Sequence, residues 1–332
     1  MLEEKKSTHK VEIVPVKLEP HPNADTLSIV KVWNYQVVVK TEEWKDKEIG
    51  AYIVPDSVAP NTPEWDFLKE SKRIKVRKFR GIMSQGLLVQ APEGSKLGDD
   101  VSEILGIIRY EPPEIFATGG LAELDPTGFR PKYDIEAWHK YFNLIIPGEE
   151  VIVTEKIHGA NGRFTYQNNR MYCGSRRLWW KKDDKNVWWK CLEQNPWIED
   201  FCEAYPDFTL YGEVWGNVQE LKYNTKEGEH NFSIFDIWNQ KEAKWLSWEE
   251  IHSLPPGDLL VITAINRWVP VLFTGMYLPK DIEKFSTGQT TINEATHIRE
   301  GIVIQPVNER EDPEIGRVKL KIVNNEYLEK AK

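Results

Sequence analysis

Long apolar runs are missing from this sequence. Nowhere does it approach the roughly 20 consecutive apolar residues that a membrane-spanning helix requires, and mean hydropathy is -0.52. A soluble chain with no membrane partner is therefore expected. The opening MLEEKKSTHKVEIV carries charges but no apolar segment ending in a small-residue cleavage site. No secretory signal is read there, and an intracellular address is expected, without a choice between cytoplasm and nucleus. Cysteine is scarce: Cys173, Cys191 and Cys202 form an odd trio without CxxC spacing, which argues against a disulfide framework or a zinc site and for buried thiols. Basic excess is missing as well. The net charge of -9 by itself counts against a nucleic-acid partner, because phosphate binding needs cations.

Local clusters temper that last exclusion. Residues 69–80, KESKRIKVRKFR, hold seven Lys or Arg against one Glu, and RRLWWKKDDKNVWWK at 176–190 sets basic residues among four tryptophans. Both stretches could face phosphates; the alternative is a solvated face or a hairpin edge. Most of the 14 tryptophans are expected in cores or interfaces.

A length of 332 residues suggests two domains. From 11 to 110 the chain reads as short β-rich runs divided by turns, VEIVPVKL, LSIVKVW, YQVVVK, IGAYIVP, RIKVRKF and GLLVQA, the pattern of a small antiparallel barrel, with an OB fold fitting best. Residues 111–132, rich in Pro and Gly, read as a linker. The domain from 133 to 332 opens with helix-like IEAWHKYFNLI, followed by strands VIVTEKI, GRFTYQ and RMYCGS and one helix through 187–204. Strands TLYGEVW and FSIFDIW, helical SWEEIHSL, strands LLVITAI, WVPVLF and GIVIQP, and RVKLKIV complete an α+β pattern. In TEKIHGANGR the strand ending at Lys156 is expected to enter a turn permitted by Gly159 and Gly162.

Two resemblances sharpen this. PHPNADTLSIVKV and, about fifty residues later, RKFRGIMSQGLLVQA resemble the tRNA-binding type of OB domain. They imply a nucleic-acid module in which Lys75, Arg77 and Arg80 contact phosphates; His21, beside two prolines, is read as a turn residue. In the second domain EKIHGANGR, GSRR at 174–177, YGEVWG at 211–216, FSIFDIW at 232–238, EGIVIQP at 300–306 and VKLK at 318–321 resemble motifs I, Ia, III, IIIa, IV and V of the covalent nucleotidyltransferases, the superfamily of DNA ligases, RNA ligases and capping enzymes. KIHGAN, with His158 where DNA ligases and capping enzymes carry Asp, is most similar to double-strand-sealing RNA ligases. The OB-first order resembles the fifth RNA ligase family. Eleven residues follow Lys321, so the distal OB domain of DNA ligases and capping enzymes is not expected. The implied fold is α+β, an N-terminal OB-fold β-barrel followed by a ligase-type nucleotidyltransferase domain built on antiparallel sheets with flanking helices.

The implied activity is ATP-dependent RNA ligation, with a nicked RNA or RNA-containing duplex as partner and a monomeric protein. Lys156 is the nucleophile that takes AMP from ATP; AMP then passes to a 5′-phosphate and is displaced by a 3′-hydroxyl. An amine attacks only without its proton, which neighbouring cations favour. Lys319 and Lys321, two apart on an expected strand, share one face and are implied to hold the α-phosphate. Glu213 and Glu300 are the implied carriers of Mg²⁺ or Mn²⁺ through waters, and one of them also serves the ribose. Phe235 is implied to stack on adenine, with Glu155 and the backbone around Ile157 reading its edge. His158, Asn161 and Arg163 are implied near ribose or phosphate. Arg176 is implied to touch the ribose or the strand being sealed, with Arg177 as its alternative. Plain core for Phe235 and surface or structural roles for Arg163 and Arg177 are the competing readings. A GTP-using capping guanylyltransferase and an inactive RNA-binding protein are the alternative functions. The first calls for a distal OB domain, which is not expected here, and for a wording other than KIHGAN; the second predicts a lost motif lysine or glutamate, and all are present.

Overall fold

In the structure, a computed structural model, residues 8–68, 72–111, 121–126 and 128–330 are described. Residues 69–71 of the basic run and 112–120 and 127 of the expected linker lie outside them. Contacts divide the chain into two units: the described residues of Met1–Pro113 with Ala137–Phe142 and Asn325–Lys332, and those of Glu114–Glu136 with Asn143–Asn324. Among the described residues no helix is long and apolar enough to cross a membrane.

In the first unit the strands are β1 (Glu12–Pro15), β2 (Leu18–Pro20), β3 (Leu27–Val32), β4 (Tyr35–Lys40), β5 (Ile49–Ile53), β6 (Ser57–Val58), β7 (Arg77–Phe79), β8 (Ile82–Ser84), β9 (Leu87–Gln90) and β10 (Ile108–Arg109). They pair antiparallel as β1-β5-β9, β2-β3-β4, β7-β8 and β6-β10. Alternation drives this arrangement. Val30, Val32, Tyr35, Val37 and Val39 fall on one buried side of the β3–β4 hairpin and pack with Trp44 and Tyr52, while Lys31 and Lys40 point to water. RIKVRKF forms a strand only at Arg77–Phe79; before it, Arg73 makes a single bridge to Val58.

The second unit continues with β11 (Ala122–Glu123), β12 (Glu136–Ala137, at the boundary), β13 (Glu150–Lys156), β14 (Ala160–Gln167), β15 (Arg170–Gly174), β16 (Trp179–Trp180), β17 (Phe208–Gly216), β18 (His230–Asn239), β19 (Lys244–Trp245), β20 (Val271–Met276), β21 (Gly301–Pro306), β22 (Glu311–Asp312), β23 (Gly316–Arg317) and β24 (Leu320–Val323). One antiparallel sheet runs β11-β16-β15-β14-β17-β18-β19 and another contains the order β24-β21-β13-β20. Helices Val187–Gln194 and Trp197–Ala204 cover the larger sheet, burying Trp188, Trp189, Cys191, Ile198 and Cys202 against Phe164, Leu210 and Ile234. All three cysteines are free and buried, and burial pushes their thiols far above the usual range. They are inert packing residues.

Three elements depart from the sequence reading. The helix expected through 187–204 is two helices, because Pro196 offers no amide donor and holds Asn195 out of helical geometry. LLVITAI is not a strand: Pro256–Thr263 is a helix with proline in its first turn, the position where a missing N–H costs nothing. A short apolar run gives no periodicity to separate the two states. IEAWHKYFNLI is helical only at Trp138–Tyr141, followed by a 3₁₀ turn Phe142–Leu144.

Candidate active site

The last residues of β13 set the site. Alternation puts Ile152, Thr154 and Lys156 on one face of the strand and Glu155 on the other, and the ladder aligns Thr154 with Val303 and Val303 with Lys321. Lys156 pairs with Gly301, where a Cβ would run into the Ile322 carbonyl oxygen. Glu300, immediately before this close approach, receives the lysine: Lys156 Nζ donates to Glu300 Oε1 at 2.7 Å. His158 completes the group, with Nδ1 3.9 Å from Glu300 Oε2, Nε2 3.2 Å from Glu220 Oε2 and its backbone N–H donated to Tyr223 Oη at 2.7 Å.

Gly159 and Gly162 act differently from the turn residues expected, since neither has positive φ and Gly162 lies inside β14. They permit close approach: a Cβ on Gly159 would meet the Val214 carbonyl oxygen, and one on Gly162 would lie 2.8 Å from the Val214 side chain. β14 therefore presses against β17 and sets Asn161 opposite Glu213. Burial, reinforced by Glu300 and opposed by Lys156, pushes the Glu213 carboxyl up to about 8. Asn161 Oδ1 is buried without a hydrogen-bond partner. The Glu300 carboxylate, the Glu213 carboxyl and an orphaned amide oxygen are a hard-oxygen set, and a cation beside them would favour release of the Glu213 proton. Among the described residues no three His, Cys, Asp or Glu side chains converge on one metal position, so an ion would reach Glu213 and Glu300 largely through waters.

The raised Glu213 carboxyl carries a stability consequence. The folded protein keeps a proton that the unfolded chain releases near pH 4.5, so stability falls as pH rises from there to about 8. Glu213→Gln has no proton to lose. Its melting temperature is expected to exceed wild type by a few degrees at pH 8.5, with the gap closing toward pH 5. Parallel melting curves across this range would expose a wrong assignment.

A bulge builds a pocket beside β13. Tyr211 pairs with Asp236 but Gly212 with Ile234, leaving Phe235 unopposed. The extra residue lets Phe232, Ile234 and Ile237 all enter the core, while Phe235 and Asp236 line a pocket with Ile152, Thr154, Gln305 and Lys319. The Phe235 ring lies 4.4 Å from that of Tyr133. Asp236 accepts from Arg317 at 2.7 Å, Lys319 at 2.8 Å and Tyr133 at 2.9 Å. Lys319, buried, also donates to the Phe235 carbonyl at 3.2 Å. Burial alone would raise the Asp236 carboxyl, but Arg317 and Lys319 hold it below the usual carboxylate range. Lys321 stays half-buried in the Thr154–Val303 row.

Other expected site residues stand apart from this constellation. Glu155 is 1% exposed, and its carboxylate is taken by the Thr290 hydroxyl and by the Thr291 N–H and hydroxyl at 2.9 and 2.8 Å. Ile157 packs with Trp215 and Tyr223. Arg163 is buried, donates to the Ser175 carbonyl at 2.6 Å and lies over Trp179. Arg176 pairs with Asp134 at 2.7 Å, and Arg177 is exposed. The four tryptophans of 176–190 are buried rather than facing phosphates. In the first unit Arg77 and Arg80 are exposed and Lys75 is half-buried; burial, with Arg73 and Arg77 nearby, pulls the Lys75 ammonium down. His21 is a buried turn residue. Sequence reasoning missed Asp236, Arg317, Thr290, Thr291, Glu220 and Val303. Arg317 ends β23 and Lys319 lies between β23 and β24, so Lys319 and Lys321 do not share the strand face expected of them; the two-residue spacing of Arg317 and Lys319 was the available signal for a buried acid.

A family model described as RNA ligase matches residues 149–323, and one described as an OB-fold domain matches residues 10–91. Among solved structures the chain is similar to Naegleria gruberi RNA ligase. One mutant with ATP and Mn superposes with a TM-score of 0.80 at 24% identity, covering 97% of this chain and 99% of that one. A second mutant with ATP and Mn gives 0.79 at 23%, covering 97% and 98%, and an apo mutant gives 0.80 at 25%, also covering 97% and 98%. No curated protein matches the sequence.

Proposed function

Since the chain belongs to the RNA ligase family, we propose that it uses ATP to join a 3′-hydroxyl and a 5′-phosphate at a nick in an RNA-containing duplex, carrying AMP on Lys156. The observation that carries this reading is the Lys156 amine at the end of β13, 2.7 Å from Glu300, on the strand face whose Ile152 and Thr154 line a pocket with Phe235 and Lys319. Glu300 is a proton acceptor within reach of the amine, and Lys156 then attacks the α-phosphate with pyrophosphate leaving. Phe235, turned into the cleft by its bulge, offers a ring face to adenine. Lys321 and Lys319 supply positive charge to the phosphates, and because such transfers depend on alignment and neutralisation, the same cations serve the second and third steps. Mg²⁺ or Mn²⁺ held by Glu213 and Glu300 through waters would supply further neutralisation of phosphate charge; the ATP and Mn of the Naegleria gruberi structures support both ligands. The first unit, with Arg77 and Arg80 exposed, is read as a grip on the nucleic acid, and the protein as a monomer.

The test is sealing of a nicked RNA duplex bearing 3′-hydroxyl and 5′-phosphate ends, with ATP or GTP and either metal, resolved on a denaturing gel. Joined strand with ATP alone supports the reading. Covalent labelling by GTP without joining would replace it with capping chemistry.

A further inference from the structure

The two OB signatures meet in space at the tip of the β7–β8 hairpin. His21 Nδ1 accepts from the Asn23 N–H at 3.1 Å, which leaves Nε2 to donate to the Phe79 carbonyl at 3.2 Å. Asn23 Nδ2 donates to the Arg80 carbonyl at 2.9 Å. The base of the hairpin is fixed too, by Gln36 donating to the Met83 carbonyl at 2.9 Å and the Val38 N–H to Ser84 Oγ at 3.0 Å.

What this bracing holds out is an aromatic ring between two cations. Phe79 and Ile82 flank a two-residue loop, Arg80–Gly81, with φ of 46° and 89°. Positive φ at both loop positions is the type I′ hairpin, which favours Asn-Gly; an arginine there is strained. Phe79 is 40% exposed, and alternation puts Arg77 on its side of the strand while Lys78 turns toward Glu329. Among the described residues neither Arg77 nor Arg80 has an ion pair or hydrogen bond through its guanidinium, whereas Lys72 and Arg73 nearby are paired with Asp66 and Asp56. A rigid, exposed ring flanked by two uncommitted guanidiniums matches a base beside its two phosphates.

We propose that Phe79 is a stacking platform for an unpaired base of the RNA, with Arg77 and Arg80 on the flanking phosphates. This deepens the proposed ligase reading by assigning the first unit a single-stranded or splayed stretch of the substrate. A base inside an A-form helix has no free face to offer; an unpaired one does.

The experiment is fluorescence anisotropy of the full chain with two RNAs of equal length, one fully paired and one with a single-stranded stretch. Phe79→Ala and Phe79→Leu are expected to weaken binding of the second roughly tenfold, the scale of base–aromatic stacking, and of the paired RNA by less than about twofold, with Phe79→Trp restoring it. Phe67→Ala, removing another exposed ring of the same unit that lies beside Glu64 and Asp66, is expected to change neither. Arg80→Asn is expected to raise the melting temperature while loosening both RNAs, as a residue kept for binding against its own strain should. Equal affinity of Phe79→Ala and wild type, equal losses on both RNAs, or full retention by Phe79→Leu each overturn the proposal. Covalent labelling of wild type by ATP is scored separately, so a failure of the ligase reading is told apart from a failure at Phe79.

Discussion

Lys156→Ala is expected to remove all covalent label transferred from α-labelled ATP, a loss of at least about 10⁴-fold of the kind seen when a nucleophile is deleted, while leaving the protein folded. The side chain is 26% exposed, so truncation opens no sealed cavity, and the neighbours on its strand face, Thr154 and Ile152, offer no amine. Lys156→Arg sharpens the test. It keeps a cation beside Glu300 but presents a guanidinium that does not deprotonate in proteins. Label must vanish in both variants if the amine is the attacking group, whereas an electrostatic role alone would spare Lys156→Arg. The alanine variant has a second readout. Lys156 is the cation that opposes the upward push of burial on Glu213, so its removal should drive that carboxyl higher still and lower the protein's stability above about pH 8, where Glu213 of the wild type ionises. Residual labelling of Lys156→Ala would move the nucleophile elsewhere.

The expectation for Lys156 could be written from the sequence because six short segments stand in a fixed order between residues 154 and 321. Lys156 itself ends an apolar run that is buried along most of its length. β4 was legible because period-two burial is printed along the strand itself, and β3, β17 and β18 because they are β-branched and aromatic runs buried along most of their length. What the sequence hid depends on partners far along the chain. Asp236 stands next to Phe235 in FSIFDIW, yet its cations come from 81 and 83 residues away, and nothing near 236 announces them. Glu155 reads as a ligand-facing acid until Thr290 and Thr291, more than a hundred residues on, fill its oxygens. Nothing in the sequence warns against the surface residue that was the competing reading for Arg163; Trp179, sixteen residues on, lies over its guanidinium. The bulge at Phe235 is invisible for a further reason: one inserted residue in a strand leaves the composition unchanged and alters only which side chains share a face. The Pro256 helix shows the opposite limit, a local signal too short to carry a period.

Asp236→Asn is expected to destabilise the second unit by about 3–5 kcal/mol, the cost of stranding buried charge, and to lower its melting temperature by roughly 10 °C or more. The carboxylate is 2% exposed and faces Arg317 and Lys319 at 2.7 and 2.8 Å, so solvent screens little of the loss. The two cations do not suffer equally. Arg317 keeps Glu309, with contacts of 2.5 and 2.6 Å, while Lys319 retains only neutral acceptors such as the Phe235 carbonyl. The penalty therefore falls on Lys319, and Asp236→Asn combined with Lys319→Met should recover most of the stability while leaving ligation impaired. The pH dependence has a fixed sign. Because the folded carboxyl lies below its unfolded value of about 3.9, its contribution is complete above that pH and is lost as pH falls through the lower folded value. Wild type should lose stability below about pH 4 along a steeper course than Asp236→Asn, which has already forfeited that contribution. Melting curves of the single and double variants at pH 7 and pH 3.5 decide the matter: a silent single variant, or a double variant no more stable than the single, would show that Lys319 is not anchored through Asp236.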